Sequence, residues 1–370
     1  HFDNLSNNAK ESKDRPLIPY LAIATQQSDF VIGAAVSIQG GLGAEYENLI
    51  SPFSARKQAG QLPDMADTIP VTDTLASEIA HIRFTPTIAK TFGKHWSLGA
   101  TLNISFVEAE LRMFPNTSVA VDGNGSGRVG DSPNDVIFSG MNVENVSDWG
   151  ASVSVGLQYQ TENLTLGVSY TSETSVDLDG GNAVINMTAL GAGMVTYDAT
   201  LTGINWPQEV GAGFAYQVTG NWLLSSDITW INWSRALDDI SISLSEASHP
   251  GVPQQNNVEM AMDWDNQVVF EIGTEYWLSD NFALRAGYNY GEAPLNTDNL
   301  RPQFPVIAES HYTAGIEYQV DGWGLALSVE YVPSETATNN NSDPTINLFG
   351  PGSTEKLSQT TWVLGIKKAW

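Results

Sequence analysis

From Trp96 to Phe106 the chain alternates residue by residue. Trp96, Leu98, Ala100, Leu102, Ile104 and Phe106 occupy one set of positions, and Ser97, Gly99, Thr101, Asn103 and Ser105 occupy the other. Successive side chains of a strand point to opposite faces, so the segment predicts a strand with one apolar face and one small, polar face. The same period recurs. Leu164, Leu166, Val168 and Tyr170 alternate with Thr165, Gly167 and Ser169. Phe282, Leu284, Ala286, Tyr288 and Tyr290 alternate with Ala283, Arg285, Gly287 and Asn289, and Trp222, Leu224, Ile228 and Trp230 stand opposite Ser225, Asp227 and Thr229. A soluble β-sandwich also alternates. These segments, however, often run ten residues or more, where strands average about five or six, and aromatics recur beside the turns, as an interfacial girdle requires. The pattern predicts an all-β fold, an antiparallel transmembrane β-barrel.

Strands are expected near 16–25, 30–42, 77–91, 96–112, 148–159, 164–177, 208–217, 222–241, 264–278, 282–291, 308–319, 324–332 and 358–370. Their connections alternate in length. Short ones, such as Phe92-Gly93-Lys94-His95, Thr219-Gly220-Asn221 and Asp321-Gly322, carry hairpin residues. Long ones cover roughly 43–76, 113–147, 178–207, 242–263, 292–307 and 333–357. Outer-membrane barrels sort their connections this way, with short turns on the periplasmic side and long loops outside. The thirteen visible strands are one short of an even number. Fourteen are therefore expected in the full protein, with the N-terminus of this chain, in residues 1–15, on the outer side. The whole of 1–370 reads as one barrel domain.

Composition adds constraints. Aromatics are plentiful (11 Trp, 12 Tyr, 13 Phe), glycine is high at 33, and charged residues make up only 16%. A net charge of −26 argues against a nucleic-acid partner, which needs a basic face. With no cysteine, disulfides and thiolate metal sites are excluded. No stretch reaches the ~18 apolar residues of a membrane-spanning helix. The polar opening His1-Phe2-Asp3-Asn4 reads as the start of a mature or truncated exported chain.

The hairpin Phe92-Gly93-Lys94-His95-Trp96-Ser97-Leu98-Gly99-Ala100, the run Asn221 to Arg235, and Leu284-Arg285-Ala286-Gly287-Tyr288 followed by Ala293-Pro294 and Arg301-Pro302 together resemble the FadL/TodX family of outer-membrane transporters for long-chain fatty acids and hydrocarbons. The resemblance implies a fourteen-stranded barrel plugged by an N-terminal hatch. It also implies a kinked strand that opens the wall, so that cargo leaves sideways into the bilayer. Ile38 to Tyr46 resembles the kinked segment, with Gly40, Gly41 and Gly43 as its glycines and Gly41 at the kink. Glycine inside a strand weakens the ladder and permits a bulge or bend; alternatively, these glycines merely end a strand. The hatch, with its Asn-Pro-Ala motif, and the first strand have no counterpart in these residues.

Candidate chemistry follows from where the alternation sends side chains. Arg83, His81 and Arg285 are expected in the lumen, where an Arg can grip a carboxylate. The alternative is a salt-bridge network with Glu271, Glu275 or Glu330. In the long loops, Met187, Leu190, Met194, Phe138 and Met141 are candidates for a surface groove, adaptable because Met is flexible; they equally suit loop packing. Asp122 to Gly127 begins like an EF-hand loop, but Pro133 stands where the bidentate Glu belongs. No metal, cofactor or catalytic constellation is expected. The expected role is outer-membrane uptake of hydrophobic compounds, long-chain fatty acids first. Aromatic or alkane hydrocarbons are the alternative, and a diffusive porin for polar solutes is a further one. Partners would be the hydrophobic cargo, membrane lipid and lipopolysaccharide, with the protein a monomer.

Overall fold

The computed structural model describes residues 9, 11, 17–62 and 68–369. The expected extracellular N-terminus at residues 1–15 lies almost wholly outside the described residues. In chain order the strands are β1 (Tyr20–Gln27), β2 (Phe30–Leu42), β3 (Glu45–Leu49), β4 (Asp73–Phe84), β5 (Thr87–Phe92), β6 (Trp96–Val121), β7 (Val136–Gln160), β8 (Leu164–Thr171), β9 (Leu178–Met187), β10 (Gly193–Thr202), β11 (Glu209–Thr219), β12 (Trp222–Ile231), β13 (Asp239–Ser245), β14 (Gln255–Ala261), β15 (Gln267–Ser279), β16 (Phe282–Gly291), β17 (Ser310–Val320), β18 (Trp323–Asn339) and β19 (Ser353–Lys368). Among the described residues, no helix is long and apolar enough to cross a membrane.

The wall is an antiparallel series: β1, β2, then β4 and β5 end to end, then β6, β7, β8, β11, β12, β15, β16, β17, β18 and β19. This gives the thirteen wall positions that the alternation predicts. Among the described residues, β1 has its ladder with β2 and β19 its ladder with β18. The expected strand at 77–91 is interrupted at Thr85-Pro86. Proline has no N–H to give the ladder, and Thr85 bonds across to Ala35 instead.

The alternation holds on both faces. Trp96, Leu98, Leu102, Val153, Val155, Leu166, Val168 and Phe214 are exposed on the outside. Asn103 faces in and donates to Ser152 and Ser154, while Thr87 and Thr101 share a hydrogen bond. Aromatics border this belt. At the short-turn end Trp96 packs on Tyr159, with ring centroids 4.9 Å apart. At the other end Tyr288, Tyr312 and Tyr331 stand in register, the first two rings 5.0 Å apart. Trp323 and Tyr331 are eight residues apart on β18, about 26 Å at strand rise, which suits a hydrocarbon layer.

The long connections are more structured than the sequence suggests. β6 and β7 continue their ladder to Val121 and Val136, well into the expected 113–147 loop. β9–β10 form a hairpin inside 178–207, and β13–β14 form one that begins at Asp239, within the expected 222–241 strand, and runs into 242–263; β10 pairs with β13 and β9 with β7. These loop hairpins bury a core of Val107, Val143, Val195, Tyr197, Ile242 and neighbours above the membrane belt. A turn of helix at 233–236 ends the expected 222–241 strand.

Candidate functional site

The loop hairpins enclose an apolar groove of about 590 Å³. Met113, Phe138 and Met141 come from the β6–β7 hairpin, Ile185, Met187 and Leu190 from β9 and the turn after it, and Leu244, Val252, Pro253 and Val258 from the β13–β14 hairpin. The alternation of each hairpin supplies the lining, because residues two apart share a face. Polar groups are few, namely Ser139, His249 and Asn256, and no Lys, Arg, Asp or Glu lines the groove. His249 uses Nδ1 to accept the Gly251 N–H. Of the five groove candidates, Met187, Leu190, Phe138 and Met141 meet here; Met194 does not line it and stands exposed on β10.

Below the groove the apolar packing is continuous. Met141, Ile185 and Leu244 belong to one buried cluster that also holds Ile79, Val107, Trp264 and Phe304. Ile79 lies on β4 directly across from Leu42, the last residue of β2.

That end of β2 is irregular. Its register with β4 shifts between Ile38 and Gly40, so a residue is inserted beside the glycines; Gly40 pairs with His81 and Gly41 with Ala80. Inserted residues of this kind bend a strand. A Cβ on Gly43 would overlap the Ser77 carbonyl oxygen on β4, so this position needs glycine for close approach. Ser77 N–H in turn donates to Ala44 O at 3.0 Å. Gly40 and Gly41 thus sit within the ladder, after an inserted residue, and are not a strand end.

The three lumen candidates each contact a neighbouring side chain, while His81 Nδ1 and Arg83 Nε are buried with no hydrogen-bond partner among the described residues. His81 is fully buried; its Nε2 lies 2.8 Å from Ser105 Oγ, and its ring packs on Trp206 with centroids 3.9 Å apart. Arg83 Nη1 reaches Gln39 Oε1 at 3.4 Å. Arg285 donates Nε to Glu275 at 2.7 Å and Nη2 to Glu317 at 2.5 Å, and Lys367 Nζ meets the other Glu317 oxygen at 2.5 Å. Of the two roles open to Arg285, the salt-bridge network is the one seen, and Glu275 is the expected partner within it. Glu271 instead accepts from Asn289, and Glu330 lies 3.5 Å from His311. In the Asp122 loop the carboxylates are occupied by backbone: Asp122 takes the N–H groups of Asn124, Ser126 and Gly127. Asp135 takes those of Gly123, Gly130, Asp131 and Ser132. Burial pushes the Asp135 carboxyl up, and these four N–H groups outweigh it, leaving the carboxyl below its usual range.

Three residues of this region were not among the site candidates read from the sequence: Trp206, which covers His81; His249 on the groove; and Arg301, buried at 7% exposure. All lie in irregular connections, where no periodicity marks a facing direction.

Among solved structures, the toluene transporter TodX of P. putida superposes with a TM-score of 0.71 at 20% identity, covering 98% of this chain and 86% of that one. The toluene transporter TbuX of Ralstonia pickettii gives 0.66 at 17%, covering 95% and 80%. A FadL homologue of Pseudomonas aeruginosa gives 0.64 at 16%, covering 94% and 75%. At these identities the likeness shows the fold. Alkane uptake protein A of Marinobacter nauticus is 28% identical over 136 residues, 36% of this chain and 27% of that protein. An outer-membrane protein of Neisseria meningitidis serogroup B is 24% identical over 186 residues, 47% of this chain and 40% of that one. The match thus spans less than half the length of either curated relative. The family model for outer membrane protein transport proteins covers residues 2–368. The chain is therefore an outer-membrane β-barrel that belongs to the OMPP1/FadL/TodX family of transport proteins.

Proposed function

We propose that this chain takes up hydrophobic compounds by capturing their apolar bodies in the groove between the loop hairpins and delivering them to the glycine segment of β2 for lateral release. One observation carries the proposal: a single apolar cluster runs from the groove residues Met141, Ile185 and Leu244 to Ile79, opposite Leu42. A hydrocarbon chain gains ~0.8 kcal/mol per CH₂ on leaving water, so a route of this kind must offer apolar surface at each stage. The cluster is close-packed, and passage requires the hairpins to part. The role is transport and not catalysis, and the chain works as a single barrel domain.

Long-chain fatty acids are the first cargo we assign. Hydrocarbons are a second reading, favoured by the absence of any charged side chain lining the groove and by the similarity to structures of toluene transporters. Proteoliposomes loaded with trapped acceptor should accumulate labelled palmitate or toluene, and Gly41→Pro should abolish this while the barrel still folds. Steady ion conductance in planar bilayers without uptake of either compound would instead make the protein a diffusive porin.

A further inference from the structure

We propose that Arg301 is the anion receptor of the transport path, taking the carboxylate of an amphiphilic cargo whose apolar body has come through the groove. The inference rests on the uptake reading above. Arg301 is more than nine-tenths buried, and its Nε has no hydrogen-bond partner. Among the described residues the side chain enters no ion pair; Arg83 shares that state but is less buried, whereas Arg112, Arg235 and Arg285 each hold a carboxylate. A buried guanidinium without a counter-charge is costly, and a fork of fixed donors suits one ligand chemistry above others, a planar oxyanion bound in bidentate fashion. Burial pushes the guanidinium below its usual range.

Its position fits the route. The backbone around Arg301 is held from several sides: Asn339 donates to Leu300 O at 2.9 Å, Asn341 to Asp298 O at 3.1 Å, and Ser77 Oγ to Gln303 O at 2.5 Å. Three residues on, Phe304 belongs to the apolar cluster that continues into the groove, and its N–H closes a turn onto Arg301 O. Ser77, the other anchor, is the residue against which Gly43 packs. Arg301 therefore stands between the groove cluster and the glycine segment, on a rigid loop. The groove itself, free of charged side chains, reads only the apolar body; the acid group is read one step later.

The test compares cargo that differs only in its end group. Purified protein in a non-ionic detergent is titrated with palmitate and with hexadecanol, followed by intrinsic Trp fluorescence. Palmitate is expected to bind about tenfold or more tightly than hexadecanol, as a charge-assisted pair predicts. In Arg301→Gln that preference should vanish while hexadecanol affinity holds, and Arg301→Lys should keep part of it. A wild-type protein indifferent to the carboxylate, or an Arg301→Gln variant that still prefers palmitate, overturns the proposal. Should Arg301→Gln fail to fold, octanoate against octanol on wild-type protein decides the same question: a preference for octanoate supports the receptor, and indifference overturns it. Inorganic sulfate distinguishes the source of the anion: sulfate bound at Arg301 with no preference for palmitate refutes a cargo role. If palmitate binding depends on Arg301 yet vesicles accumulate nothing, the uptake reading fails and the receptor stands.

Discussion

Glu317 ties three nearby wall strands together on the inner face of the barrel, and its removal should be felt as lost barrel stability. The carboxylate on β17 is 3% exposed and accepts from Arg285 of β16 and Lys367 of β19, both at 2.5 Å, and from Gln319 at 2.7 Å. Lys367 reaches it over Gly324 of β18, where a Cβ would overlap the lysine stem. Each charge-assisted bond contributes about 1.5–3 kcal/mol. Arg285 and Lys367 are themselves 36% and 62% exposed, however, and water screens part of that. Glu317→Ala should therefore cost about 2–3 kcal/mol, lowering the unfolding midpoint by about 3–6 °C for a chain of this size; Glu317→Gln, which keeps an acceptor, should cost less. The assay is the temperature at which the compact band on an SDS gel converts to the slower, unfolded one. An unchanged midpoint, or a Gln variant weaker than the Ala variant, would refute the account of this network.

Further outcomes follow from the same geometry. Arg285→Met should leave palmitate uptake within about twofold, since the guanidinium is committed to Glu275 and Glu317; a carboxylate-specific loss with a normal midpoint would return Arg285 to the cargo path. Met187→Glu or Leu190→Glu should weaken hydrocarbon binding about tenfold, the loss of one side chain's apolar contact, as read by fluorescence titration. Gly43→Ala should destabilise by about 1–3 kcal/mol or more, because the Ser77 carbonyl must move. Glu355 lies on β19 above the outer girdle, five residues before Thr360, the partner of Tyr331, and burial raises its carboxyl from 4.5 to about 8. The folded state then holds a proton that the unfolded chain has released, so this residue's effect makes stability fall as pH rises from about 4.5 to about 8 and stay level above. Glu355→Gln should flatten that part of the profile between pH 5 and pH 8, and a slope identical to wild type would show that the carboxyl ionises freely.

The wall was legible because a barrel in lipid obliges every strand to keep period two, and thirteen positions followed from segments such as Trp96 to Phe106. The hairpins β9–β10 and β13–β14 were not, although their residues also alternate. Val195 and Ile242 are buried among their own loops, and polar turns and glycines break the period before a membrane-length run develops. Four of five groove residues could be named because Met and Leu in an otherwise polar connection must bury somewhere; Met194, on the other face of its strand, shows the limit of that argument. Arg301 entered only as part of the family resemblance and not as a site candidate, since one basic residue before a proline looks like any solvated loop position. Its lack of an ion pair among the described residues is a property of three dimensions.

From Phe106, opposite Trp149 near the outer girdle, β6 runs fifteen more residues to Val121, about 50 Å of strand path. With the long-loop end facing the medium, the uptake proposed above would have the chain first meet a sparingly soluble molecule well out from the bilayer. Desolvation and membrane entry become separate events at separate heights. On that proposal, capture would scale with the area and stickiness of the rim, and a change of cargo would call for new loops on an unchanged wall.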